Sequence, residues 1–249
     1  MMRTDAAFAF KTAIVIIVAH AIAYLAHEYS HSFAAWVSGY MENPLALDYG
    51  GINPGNLVFL SDVGDNVQYD PIMDSGHGLT AAAIALAGPF VGNALLYAGL
   101  YATTGFSRPR DSLASSLLFW MLAMCAGNVW SYVPMRALTT HADIAIAAQG
   151  LRISVLALFP FLLVPSLFIA YHFFAKVCPL FIPAITAGRA ARTALLVSMT
   201  AIWFFMLFGG VGLSGSYGPI SQTLSVVSEA LCLPLAITWL WKKCARAHA

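Results

Sequence analysis

Charge is what this chain has least of. Only 9% of its 249 residues are Asp, Glu, Lys or Arg, against 60% hydrophobic, and the formal net charge is +1. So small a polar complement excludes an ordinary soluble domain, in which about a quarter of the residues are charged. No basic cluster exists beyond Lys242, Lys243 and Arg246, so no nucleic-acid partner is expected. Cysteine is sparse as well. Cys125, Cys178, Cys232 and Cys244 form no CxxC pair, which leaves neither a disulfide framework nor a cysteine–zinc site. Polar stretches long enough for a large extramembrane domain are also missing.

What fills the chain is apolar sequence, with a mean hydropathy of +0.77. Six runs are long enough to cross a bilayer, at about 12–37, 79–103, 113–133, 154–175, 193–213 and 224–241. The expected fold is therefore all-α, a polytopic membrane bundle of about six transmembrane helices. Arg3 and Lys11 ahead of an Ala-rich run resemble the start of a secretory signal. Cleavage after Ala23 or Ala26 would cut through the motif described next, so an uncleaved first span is expected. With the N-terminus cytoplasmic, 10 of the 12 Lys and Arg fall on the inner side and only Arg136 and Arg152 outside. The expected location is a bacterial cell membrane with both termini cytoplasmic.

The first run holds His27-Glu28-Tyr29-Ser30-His31, an HExxH pattern. On a helix, positions i and i+4 share a face, so two imidazoles can reach one metal ion with Glu28 beside them. A shuffled chain of this composition would hold roughly 0.002 such matches, so coincidence does not explain the pattern. Ionisable groups inside a membrane run are costly and mark function by default.

The loop 38–78 carries six acids, among them Asp48, Asp62 and Asp65, and no Lys or Arg, which suits an outer face. Its run Asn56-Leu57-Val58-Phe59-Leu60 is read either as a short β-hairpin, whose free edge offers a strand to an extended peptide, or as a surface loop capping the bundle. In the second run, Gly88 and Gly92 form GxxxG around Pro89, which can loosen the backbone ladder, and Asn93 brings an intramembrane hydrogen-bonding group. The third run ends in Asn128 and continues to Pro134 and Arg136. Thr140 with Asp143 reads as a capping box opening a further helix through Ala148. At ~1.5 Å per residue, His27 and His31 lie about 24 and 30 Å above Lys11, Asn128 about 26 Å above Asp111, and Pro89 about 28 Å above Arg108. Three spans thus bring their polar features to one layer. Pro160 and Pro165 predict kinks or breaks in the fourth run, while Gly209-Gly210-Val211-Gly212 either gates access or marks packing and a turn.

A catalytic zinc needs three protein ligands and an open position. His27 and His31 supply two. Asp143 is the preferred third, because one carboxylate leaves the centre with a single positive charge; His141 is the alternative. Glu28 is the expected general base. Asn93, Asn128 and Arg136 are candidates for holding substrate or stabilising an oxyanion. His20 lies about 10 Å from His27 along the helix and is expected as a hydrogen-bonded interior histidine, with His77 in the loop, His172 in helix packing and His248 in the tail.

These residues resemble the site-2 protease family of intramembrane zinc metalloproteases. The resemblance rests on His27-Glu28-Tyr29-Ser30-His31, on Ala87-Gly88-Pro89 with Asn93, and on Asn128 and Pro134 leading to Asp143, and it covers roughly residues 20 to 150. It implies a catalytic core over 1–153, including loop 38–78, with 154–249 as three accessory helices. It also implies Zn2+ held by His27, His31 and Asp143, Glu28 as base, and a membrane protein or peptide as substrate within the lipid bilayer. The family's asparagine-to-aspartate spacing is usually shorter and ends in Asp-Gly, whereas Ile144 follows Asp143 here, and there is no room for the PDZ domain many members carry. The expected function is an intramembrane zinc endopeptidase. The alternative is a catalytically silent relative serving as a membrane scaffold or assembly partner.

Overall fold

The structure, a computed structural model, describes residues 2–136, 138, 142–214 and 217–245. The described chain forms α1 (Met2–Val37), α2 (Pro54–Phe59), α3 (Tyr69–Asp74), α4 (Gly78–Gly105), α5 (Leu113–Trp130), α6 (Asp143–Leu151), α7 (Val155–Thr186), α8 (Ala190–Leu213) and α9 (Gly218–Ala245). Six of them, α1, α4, α5, α7, α8 and α9, are long and apolar enough to cross a membrane. Large apolar side chains such as Phe10, Val37, Phe161 and Phe168 point outward, which water would not tolerate over so wide a surface and lipid does.

α5 is the centre of the bundle. In its most apolar window 72% of the residues are buried, against 17% in α9, so α5 is enclosed by protein and α9 lies at the edge. Ser112 starts α5 by accepting the N–H of Ser115. Its side chains Phe119, Trp120, Met124 and Cys125 are then packed between neighbours with almost no exposure. α7 and α9 run further than expected. Lys176 is exposed in a widened turn at Phe173–Val177, so its charge escapes while the apolar run continues from Cys178 to Thr186. α9 starts at Gly218 because Pro219 fits the first helical turn.

Proline acts differently in two helices. α7 is not broken at Pro160 or Pro165; it continues from Val155 to His172 through both. In α4, by contrast, Gly88–Leu95 relaxes into a π-helical turn around Pro89, the loosening the sequence predicts. Gly209 and Gly212 serve packing: a Cβ on Gly209 would stand 1.9 Å from the Ser228 hydroxyl and one on Gly212 2.6 Å from that of Ser225.

Of the two expected forms of the loop, the hairpin is not the one found. Among the described residues there is no strand and hence no hairpin or free edge. Only a single antiparallel bridge joins Asp48 and Gly64. The β-prone run is overruled locally: Asn53 caps the N–H of Asn56, Pro54 occupies the first helical position, and the chain turns into α2 before Leu60 ends it in the left-handed region. The loop is then tied along α1, since His20 Nε2, Tyr24 Oη and Ser32 Oγ donate to the carbonyls of Phe59, Val63 and Asp65 at 3.0, 3.2 and 2.9 Å. His20 is thus the buried, hydrogen-bonded histidine expected, His77 is exposed beside Ser75, and His172 pairs with the Tyr97 hydroxyl at 2.7 Å. His248 lies outside the described residues.

Candidate metal centre

One helical turn on α1 brings His27 and His31 together, both buried, with their Nε2 atoms 3.3 Å apart. Asp143, in the first turn of α6, completes the group. Its Oδ2 lies 3.0 Å from His31 Nε2 and 3.6 Å from His27 Nε2. Four-coordinate zinc with bonds of about 2.0–2.1 Å separates its donor atoms by roughly 3.3 Å, so the three observed spacings fit one ion. His27, His31 and Asp143 are accordingly a group that can hold a metal. His141, the alternative third ligand, lies outside the described residues, as does Thr140. The residue at the N-cap of α6 is Ala142, with φ 71° and no capping side chain, in place of the expected capping box.

The surrounding shell fixes how the donors face. His31 Nδ1 lies 2.8 Å from the carbonyl oxygen of Ile84, which can only accept, so Nδ1 carries the proton and Nε2 keeps its lone pair for the centre. His27 Nδ1 faces the side-chain amide of Asn93 at 2.6 Å. Ligation through Nε2 requires a proton on Nδ1, so Asn93 then presents its oxygen, an amide turn that changes no position. Asn93, expected to touch substrate, is fully buried behind the imidazole and does not line the cavity beside it. Asn128 does line that cavity, its side-chain amide 3.4 Å from that of Asn93; with Asn93 turned, Asn128 presents its own oxygen to the Asn93 amide nitrogen.

Two close approaches build the site. A Cβ on Gly88 would stand 2.1 Å from His31 Nε2, and one on Gly92 2.6 Å from His27 Cα, so only glycine lets α4 run against the HExxH face. At the other side, a Cβ on Gly150 would stand 2.2 Å from the carbonyl oxygen of Gly78, a backbone contact that seats α6 on α4 and delivers Asp143.

Glu28 is buried and lines a cavity of about 300 Å³ together with His27, Asp143, Asn128, Tyr132 and Arg136. The Tyr132 hydroxyl donates to Asp143 Oδ2 and accepts the Asp143 backbone N–H at 3.2 Å. Burial, and then the charge of Asp143, push the Tyr132 phenol well above its ordinary range, so it stays a neutral donor. For Asp143, burial opposes ionisation, but with no ion between them the protonated His31 first, and then His27, outweigh it and hold the carboxyl below the usual carboxylate range. Asp65 also reaches the site, its Oδ2 4.0 Å from His31 Nδ1 and 2.9 Å from the donating hydroxyl of Tyr69.

Tyr132 and Asp65 are the residues sequence reasoning missed. Tyr132 follows Asn128 by four and so shares its helical face, a signal that was present in the chain. Nothing distinguished Asp65 from the other acids of its loop.

Fold and site together define an integral multi-pass membrane protein with a His27–His31–Asp143 group, its histidines buried and its aspartate partly so, able to hold a metal ion between α1, α4 and α6. No family model, curated protein or solved structure matches the chain.

Proposed function

We propose that this protein is an intramembrane zinc endopeptidase of the kind the site-2 protease family represents. The observation that carries the reading is the placement of a buried Glu28 in the cavity lined by His27 and Asp143, two members of a two-histidine, one-aspartate donor set. That donor set also suits non-haem iron, but a carboxylate base beside it is what hydrolysis needs. Zinc, when held there, supplies Lewis acidity toward a water and a substrate carbonyl. Glu28 takes the proton released from the attacking water and returns it to the leaving amine. Tyr132 keeps Asp143 turned toward the histidines, Ile84 and Asn93 set the two imidazole tautomers, and the surrounding helices restrict entry of bulk water. The amide of Asn128 is available to a substrate backbone.

The test combines metal content with cleavage of a single-span membrane peptide by wild type and Glu28→Gln. The expected result is one zinc per chain in both and at least a hundredfold slower cleavage by the variant, about the low end of a general base's contribution. Equal cleavage by both would remove the peptidase mechanism and leave a metal-bearing membrane scaffold. Iron in place of zinc would move the protein to oxidative chemistry.

A further inference from the structure

The cavity beside the metal group contains one cation that its neighbours do not neutralise by direct pairing. Arg136 follows α5 and is held between two phenol rings, its guanidinium carbon 5.0 Å from the centroid of Tyr132 and 5.5 Å from that of Tyr217. Nη2 donates to the Tyr217 hydroxyl at 3.1 Å, while Nε is buried and has no acceptor among the described residues. Among the described residues no carboxylate comes within 4.0 Å of this guanidinium, although Glu28, Asp65 and Asp143 all line the same cavity. Asp143 is engaged by the histidines and Tyr132, and Asp65 by Tyr69 and the N–H of Val67.

A buried donor without an acceptor is costly, and the cost is greater on a charged group. The usual resolution is an anion bound through two parallel N–H···O contacts, for which guanidinium is shaped and ammonium is not. Two flanking rings fix the plane of the fork, so little conformational freedom remains to be lost on binding. We infer that Arg136 is a receptor for a substrate carboxylate, making the preferred substrate a peptide that carries a negative charge near the bond to be cut. This rests on the peptidase reading of the same cavity. The carboxylate has two sources, the free C-terminus of an already shortened chain or an Asp or Glu side chain.

Binding, not turnover, tests it. Full-length protein in nanodiscs is titrated with two N-acyl hydrophobic peptides that differ only in ending as carboxylate or carboxamide, and with an amidated pair that differs only in Glu or Gln. Each titration is run on zinc-loaded and zinc-free protein. At least one charged member is expected to bind about tenfold tighter than its neutral twin, in both metal states. The pair that shows the preference identifies the source. Arg136→Gln should abolish the preference and Arg136→Lys retain only part of it. No preference in zinc-free wild type overturns the inference, even where Arg136→Gln fails to fold. A preference surviving in Arg136→Gln overturns it too, because the carboxylate is then read elsewhere. A preference without any peptide cleavage would leave the carboxylate receptor standing and remove the peptidase.

Discussion

Individual atoms decide whether the centre exists. Gly88 is the sharpest case, because any Cβ there meets the very nitrogen that must face the ion, at 2.1 Å. Gly88→Ala is expected to lose bound zinc while the protein still inserts as a helical bundle, read by metal analysis and circular dichroism on the same sample. Tyr132 acts one bond further out. Removal of its hydroxyl leaves the ring stack beneath Arg136 but frees the oxygen of Asp143. Tyr132→Phe should therefore weaken zinc affinity by about 10–100-fold without loss of helix, measured by competition with a chelator. At this scale the sequence was informative about residue types and about the short-range pattern of HExxH, and less so about what polar residues of other segments touch. HExxH placed two donor imidazoles and a carboxylate side by side through helical spacing alone. Asn93 was legible as polar and intramembrane, yet only packing showed that it serves His27 from behind.

Helices and their contacts deliver the third donor. Asp143 reaches the histidines because α6 lies on α4 where Gly150 and Gly78 touch backbone to backbone. Gly150→Ala must push that contact apart, so it is expected to lower zinc occupancy severalfold through displacement of Asp143, with His27 and His31 left in register. Gly99→Ala is the control, since an added Cβ there meets nothing within 4 Å, and it should match wild type. Span positions were readable, because hydropathy is local and the bilayer sets the length. Of the two readings of the loop the hairpin fails, because β-propensity yielded to a stronger local instruction, Asn53 capping and Pro54 starting a turn of helix. Asp65 had no signal because a loop's path depends on what it is tied to, here three side chains of α1.

For the whole molecule, an ion bound only by the folded bundle stabilises it by mass action, about 2.7 kcal/mol at a free concentration one hundred times the dissociation constant. Zinc should raise the unfolding temperature and a strong chelator reverse the gain, while a His31→Ala variant should respond to neither. Acid should act on the same linkage. Asp143 is held below its ordinary range, so its pairing contributes stability above its unfolded pKa and loses it only as pH falls through the lower folded value. Loss of zinc as the pH falls is therefore expected from protons competing for the imidazoles before protonation of Asp143, with the helical signal unchanged.

The sequence by itself determined a bundle of six membrane helices and a pair of histidines with their glutamate, because apolar length and the 3.6-residue period are properties of neighbouring residues. Tertiary structure alone decided that Asp143, Tyr132, Asp65 and Arg136 surround that pair. Their positions follow from close helix contacts at glycine and from a loop tied down across the site, and no local pattern encodes a distance between segments so far apart in the chain.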